Sequence, residues 1–481
     1  MDNIKIQTPS PFSYGAVSLH KIINNKCRLD ASAYNIDVMK ALKKIKANHY
    51  GFVTLWGNSG LISSAYYPGR YKRIYVSSKS GTPFYLPSQL DEILPKPTKY
   101  VSELTVKQLG DDFIKEKSLL LSRSGTIGKS AITSRTIEGK LFSDDVIRVT
   151  FKNDYDLGYV YAYLKSEIGL TILQGNIYGS VIDHIEPEHL NDIPIPCAPI
   201  TDREKINELV QESYDLRDKS NYLIKLAQSE LYSELGLLDI STLSPKQYSY
   251  NSGFNNYSVK LSKTDLRLDG SYHIPIVEEI IKKISEKSER IARLGDDDIS
   301  ESIILPGRFK RVYVDKEHGI PFFGGKQLLS LNPTNIKYLS PLHHGERIEG
   351  QLYLKENMCA ISCSGTIGKV MIVPKHWEGW TMNQHVIRVV PKSNDIAGYI
   401  YAWIDSTYCK PLIERYIYGS VVDEVDDVQI GRVPIPILKN KEVLQNINDN
   451  ILKANNLRYE AYLKEKEAFA IMNDIINKVD F

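Results

Sequence analysis

Gly125-Thr126-Ile127-Gly128-Lys129-Ser130 combines two glycines, a lysine and a hydroxyl, the residue types that cradle a nucleotide phosphate and its Mg²⁺. That chemistry also needs a glycine five positions before the Gly-Lys pair, and Arg123 stands there. The stretch recurs at 361–372 as "ISCSGTIGKVMI", where Cys363 replaces the first glycine and Val370 the hydroxyl. A glycine-rich turn between two strands explains the same residues, because Gly125 and Gly128 can take positive φ at no steric cost. No G-x-S-x-G, H-E-x-x-H or strand-to-helix G-x-G-x-x-G is present. Cys359 and Cys363 could suggest a metal, yet their counterparts are Leu119 and Arg123, so a metal essential to the fold is not expected. His343-His344 has no counterpart and is expected in a surface loop. No catalytic, cofactor-binding or metal residue is therefore expected in this chain.

The recurrence extends along the chain. "PGRYKRIYV" at 68–76 returns as "PGRFKRVYV" at 306–314, "GTPFY" at 81–85 as "GIPFF" at 319–323, and "SGTIGK" at 124–129 unchanged at 364–369. "IYGSVID" at 177–183 matches "IYGSVVD" at 417–423, "IPIP" at 193–196 matches "VPIP" at 433–436, and "RLDAS" at 28–32 matches "RLDGS" at 267–271. The offset stays between 238 and 240 residues. This is a tandem duplication of one fold.

The elements that must carry these motifs fall into two kinds. "RIYVSS", "VIRVTF" and "HVIRVVP" read as strands, and "GYVYAYLKS" and "GYIYAWIDS" as short helices beside them. Pro194, Pro196 and Pro199 are expected to close the first such segment, and Pro434 and Pro436 the second. From Thr201 to Leu235, and from Lys439 to Val479, the chain is charged and helical in period, with Thr201 or Asp202 as an N-cap. Leu209, Leu216 and Leu223 stand seven apart, as do Ile447, Ala454, Ala461, Ala468 and Ile475, with Leu444 and Ile451 beside them. That spacing predicts a coiled-coil seam between helices of roughly 50 Å. Two separate amphipathic helices are the alternative. The class is α+β, with mixed sheets and short helices in two tandem domains at 1–200 and 241–438, and helical spacers at 201–240 and 439–481.

Composition excludes several classes. A net charge of +2 over 481 residues is not a uniformly basic nucleic-acid coat, so any DNA contact must come from local patches. No apolar run approaches a membrane span, "MDNIKIQTPS" is not a signal peptide, and five cysteines without CxxC argue against a disulfide framework. A cytoplasmic protein without membrane contact is expected.

One local patch is Arg70, Lys72 and Arg73, with its twin Arg308, Lys310 and Arg311. Strand alternation would send Arg70 and Lys72 one way and Arg73 the other, while a charge-guarded strand edge is the structural alternative. Tyrosine is abundant, 31 against 12 Phe, which suits wet interfaces as well as sheets. Asp183 and Asp423 recur and are read as loop caps. Ser143-Asp144-Asp145 matches Asn383-Gln384-His385, a difference that a pair of specificity readers would show.

The segment order resembles the specificity (S) subunit of type I restriction–modification systems. The second copy carries it as "SGTIGK", "VMIVP", "WTMNQHVIRVVP", "YIYAWIDS", "YGSVVDEVDDVQIGRVPIPIL" and the terminal helix; the first repeats the set. The resemblance covers essentially the whole chain. It implies a non-catalytic subunit with two target recognition domains, each reading half of a split site in double-stranded DNA. An antiparallel coiled coil would set their spacing and dock two methyltransferase (M) subunits, which would carry the S-adenosylmethionine. Restriction or translocase subunits are further partners, and related S-like chains serve type II and other methylation-linked systems. On this likeness the DNA-facing residues are Arg123, Ser124, Thr126 and Lys129, with Ser364, Thr366, Lys369 and Gln384 in the twin. Tyr178 and Ser180, with Tyr418 and Ser420, belong to a second loop. The rival readings are a duplicated protein-binding scaffold, a P-loop ATPase and a self-sufficient methyltransferase, the last opposed by the lack of an "NPPY"-type sequence.

Overall fold

The computed structural model describes residues 17–24, 27, 29, 35–110, 112–125, 127–175, 184–237, 240, 243, 258–264 and 266–479. Thr126, Tyr178, Ser180 and Asp183 lie outside the described residues. The chain is α+β with several small sheets and divides into two compact units. The first comprises Met1–Leu90, Pro95–Glu212 and Lys464–Phe481, the second Asp91–Leu94 and Ser213–Leu463.

In the first unit, β1 (Phe52–Thr54) pairs with the later β9 (Pro194–Pro196). Strands β2 (Ile62–Tyr66), β8 (Val146–Phe151), β5 (Leu119–Ser122) and β6 (Ser130–Ile132) form an antiparallel sheet in that order. A smaller sheet places β3 (Thr82–Tyr85) antiparallel to β4 (Lys99–Val101) and parallel to β7 (Leu141–Phe142). Helices α1 (Leu19–Asn24), α2 (Ile36–Lys46), α3 (Glu103–Leu109), α4 (Tyr155–Lys165) and α5 (Glu167–Gly175) precede the long α6 (Ile200–Glu234).

The second unit repeats the plan. β10 (Ser288–Arg293) pairs with β19 (Pro434–Leu438). The main sheet runs β11 (Ser300–Ile304), β18 (Val386–Pro391), β15 (Cys359–Ser362), β16 (Val370–Ile372). The second sheet runs β12 (Tyr313–Val314), β14 (Lys337–Leu339), β13 (Ile320–Phe323), β17 (Thr381–Met382), with β13 and β17 parallel. Helices α7 (Pro275–Lys287), α8 (Pro341–Arg347), α9 (Asn394–Ile404), α10 (Cys409–Glu414) and α11 (Asp427–Gly431) precede α12 (Lys441–Asn477). Even the irregularities repeat: β2 is bulged between Ile62 and Ser64, β11 between Ser300 and Ser302.

Several expectations need correction. "RIYVSS" forms no strand; Tyr75 makes a lone bridge to Val101, while its twin reaches two residues as β12. Pro194, Pro196, Pro434 and Pro436 do not interrupt structure. They lie in two-stranded sheets, where edge positions tolerate proline, and their carbonyls accept from the short helices. Tyr159 and Tyr163 donate to Pro196 and Pro194 at 2.8 and 2.6 Å; Tyr399 and Trp403 donate to Pro436 and Pro434 at 2.5 and 2.7 Å. The α6 helix starts at Ile200, so Thr201 and Asp202 lie in its first turn, and the Pro199 carbonyl accepts from Asp202 and Arg203. His344 lies on α8 rather than in a loop, and its Nε2 accepts the Val312 amide at 3.0 Å.

The heptad rows also shift. On α12, Ile447, Ile451, Ala454, Ala461, Ala468 and Ile475 are sealed from solvent, as spaced. On α6, Leu209 is buried but Leu216 and Leu223 are only half-buried. The sealed row is instead Ile206, Ser213, Ser220 and Ala227, also seven apart. Small side chains admit a close neighbour, and in the second unit Ser213 Oγ donates to the Ala461 carbonyl at 2.8 Å. No helix among the described residues is long and apolar enough to cross a membrane.

Candidate nucleic-acid interface

The glycine-rich loops connect β5 to β6 and β15 to β16, adjacent antiparallel strands. No helix follows them, so the helix N-terminus on which a phosphate cradle depends is missing. Gly125, Gly128, Gly365 and Gly368 all have positive φ, between 73° and 93°. Ser122 Oγ and Ser362 Oγ accept the amides of Lys129 and Lys369 at 3.0 and 2.9 Å, closing each turn from within. The ammonium groups are also engaged. Lys129 Nζ donates to the Ser88 carbonyl at 3.1 Å, and in the second unit Lys369 Nζ pairs with Glu92 at 2.9 Å. Ser124 is held by a backbone bridge to His184, and Ser364 by one to Glu424; Thr366 is exposed.

The basic triplets separate as alternation predicts, although the segment is no regular strand. Arg70, Lys72, Arg308 and Lys310 face solvent, while Arg73 and Arg311 turn inward. Arg73 pairs with Asp144, and its guanidinium lies over Tyr71 and Phe84 at 5.7 and 5.6 Å. Arg311 Nη2 donates to Gln384 Oε1 at 2.7 Å and lies over Phe309 and Phe322 at 5.8 and 5.4 Å. Arg123 is buried, paired with Glu186 and within 3.8 Å of Asp145, and stands over Tyr67 at 4.1 Å. Its twin Cys363 is a core thiol that burial pushes up to about 12. Tyr418 is exposed and makes both backbone bonds of a bridge to Glu424, while Ser420 and Asp423 are exposed beside it.

Sequence reasoning missed the residue that orders each variable loop. Arg388 is fully buried in the central strand β18, and it donates to the carbonyls of Met382, Asn383, Val386 and Leu352. Arg148 in β8 does the same for Val146, Phe142 and Asp112. Burial lowers the Arg388 pKa to about 9, so the guanidinium stays charged at neutral pH. The segments pinned this way are the ones bearing Asp144-Asp145 and Gln384-His385. The only sequence signal was an arginine repeated inside two apolar strands, "VIRV" at 146–149 and 386–389.

His385 completes the second loop, its Nε2 3.1 Å from Gln384 Nε2. Burial, with Arg311 and Arg308 adding repulsion against an opposing Glu424, holds its pKa below the ordinary histidine value. The neutral ring accepts from the amide; the protonated ring cannot. The loop's stability should therefore be complete above about pH 6.5 and decline as pH falls through the depressed value. An NMR titration of the His385 ring should give a midpoint below 6.5 in the native chain, and His385→Asn should flatten the acid limb of stability. A midpoint above 6.5 would refute the assignment.

Beside these residues is a cleft of about 230 Å³, lined by Pro306, Arg308, Ser364, Gln384, His385 and Tyr418 among others. Thus the second unit gathers members of both sequence-derived sets around one opening, whereas Lys369 is tied to Glu92.

No protein-family model matches the chain, and no curated protein matches it. Solved structures that align with it include the S subunit of a type I restriction–modification system from M. genitalium, at 11% identity, 89% of this chain, 98% of that chain and a TM-score of 0.31. The HsdS subunit from Thermoanaerobacter tengcongensis aligns at 12% identity over 87% of this chain and 94% of its own, with a TM-score of 0.26. The chain is similar to a third structure, from work on complex assembly and conformational transition of the type I R-M system, at 13% identity, 89% and 98% coverage, and a TM-score of 0.27.

Proposed function

We propose that this chain is the non-catalytic specificity subunit of a DNA methylation system, reading a bipartite, gapped site in double-stranded DNA. One observation carries the reading. Two copies of a fold share the scaffold down to Arg148 and Arg388, yet differ in the residues that scaffold presents, Ser143-Asp144-Asp145 against Asn383-Gln384-His385. Matching frames with different side chains at the same loop position suit two readers of different half-sites. Phosphate contacts would fix register without reading sequence, and the exposed Arg70, Lys72, Arg308 and Lys310 suit that role.

In this reading residues 1–200 and 241–438 are the recognition domains, and 201–240 and 439–481 are helical spacers pairing as an antiparallel coiled coil. The small-residue rows and the Ser213–Ala461 bond support the pairing. The spacers would dock two methyltransferase subunits, which supply the S-adenosylmethionine, and restriction or translocase subunits would join them. The chain would act in the cytoplasm.

The test is to co-express the chain with the methyltransferase subunit of its own operon and map methylated adenines across the host genome. One asymmetric, gapped motif should appear and vanish when this chain is deleted. Methylation independent of the chain would leave a protein-binding scaffold in its place.

A further inference from the structure

Each copy has an inward-turned arginine, Arg73 or Arg311, and each of these holds the residue at one matched position, Asp144 or Gln384. The arginine repeats and its partner does not. A guanidinium flanked by rings and bonded to a side chain is placed to orient that side chain, not to meet a phosphate. We infer that Gln384 is the base-reading side chain of the second domain, that Arg311 is its positioning residue, and that its half-site carries an adenine there. The inference rests on the DNA-specificity reading above.

Donors and acceptors on the amide decide which base it fits. A glutamine amide has two acceptor sites on oxygen and two hydrogens on nitrogen. Arg311 can only donate, so the contact at 2.7 Å fixes Oε1 towards it. Nε2 then faces His385, whose Nε2 accepts one hydrogen at 3.1 Å. One acceptor and one donor remain on the amide. Adenine presents their complement in the major groove, the N6 amino hydrogen and the N7 acceptor. Guanine presents two acceptors, O6 and N7, and would set O6 against Oε1. An unbuttressed glutamine could turn its amide over and lose this discrimination; Arg311 and His385 prevent the turn. The cleft beside Gln384 is lined by the exposed Arg308 and Tyr418, the side from which a base edge would enter. Asp144, the matched residue held by Arg73, is buried and has no hydrogen to offer N7, so the first domain does not repeat this pairing.

The test uses the complete complex of this chain with its methyltransferase subunits and duplexes carrying its mapped motif. Each second-half adenine is replaced in turn by 7-deaza-adenine, which lacks the N7 acceptor. One replacement should weaken binding by the wild-type complex, on the order of 10- to 100-fold. The same replacement should cost the Gln384→Ala complex nothing further, because the contact is already gone. Gln384→Ala should also relax the motif at that one position and leave the first half-site intact. Arg311→Met should reduce the adenine-over-guanine preference with an unchanged salt dependence. A phosphate-contact role would instead weaken all sequences alike and lower the salt slope by about one. Gln384→Glu, which keeps the shape, guards against a folding defect: it too should lose the N7 effect. A second half-site without adenine, or unchanged selectivity in Gln384→Ala, overturns the inference alone. A wild-type complex with no sequence preference overturns the DNA reading and this inference with it.

Discussion

Replacing Arg388 by methionine is expected to destabilise the second unit by about 3–5 kcal/mol. Its guanidinium occupies a site with 0% exposure and bonds four carbonyls, those of Met382, Asn383, Val386 and Leu352. Each buried acceptor left unpaired costs about 1–3 kcal/mol. Removing a cation from an apolar site returns about 1–4 kcal/mol, so the loss of the carbonyl partners wins. Arg148→Met takes a donor from three carbonyls, Val146, Phe142 and Asp112, and should cost the first unit less. Urea denaturation followed by hydrogen exchange, which resolves the two units, is the direct check. The functional readout should be more sensitive than the global one. Three of the four carbonyls belong to the segment carrying Gln384 and His385, so selectivity at the second half-site should be lost before the fold. Equal costs for Arg388→Met and Arg148→Met, or a stable Arg388→Met, would contradict this account.

That arginine also marks how far the sequence could be read. The duplication was legible because it is a comparison within one chain, and the long helices were legible because charge and period persist for 35 and 37 residues. Their buried face was less so. Leucines at seven-residue spacing suggested the seam on α6, but the sealed row runs through Ser213, Ser220 and Ala227, because close helix approach favours small side chains over large ones. Local pattern also could not reveal which charges are occupied. The partners of Arg73, Arg311, Arg123 and Lys369 lie 71, 73, 63 and 277 residues away. Composition marked these four as cations available to DNA, and tertiary pairing gives each a structural engagement. Strand alternation assigns one face of β18 to solvent, yet Val386 to Val389 are buried on both faces, so Arg388 had to turn inward. The mismatch at 143–145 and 383–385 was legible too, since a difference between otherwise matching copies is visible in the sequence alone.

Gly398→Val should be the other severe substitution, for reasons of space rather than charge. A β-carbon at Gly398 would stand 2.3 Å from the Asn448 carbonyl oxygen and 3.0 Å from Ile451 Cβ, so α9 could not keep its approach to α12. Asn448 takes part in that approach: its Oδ1 accepts the amides of Gly398 and Tyr399 at 2.8 and 3.3 Å, and its Nδ2 donates to the Asn394 carbonyl at 3.0 Å. The first unit repeats the device. Gly158 donates its amide to Asn207 Oδ1 at 2.9 Å, and a β-carbon there would stand 2.6 Å from Asn207 Cα. Overpacking against backbone cannot be relieved by a rotamer change, so a loss of about 3 kcal/mol or more is expected. Under the proposed function this junction ties each recognition domain to its long helix. Gly398→Val and Gly158→Val should therefore each abolish methylation of the gapped motif, even where the purified chain keeps its helical signal. Gly345→Ala on α8 supplies the contrast, since a β-carbon there meets nothing within 4 Å. It should gain up to about 1 kcal/mol from helix propensity and leave the motif unchanged. Thermal melts of the three variants, read beside their methylation maps, separate a requirement for empty space at the domain–helix junction from a general aversion to losing glycine.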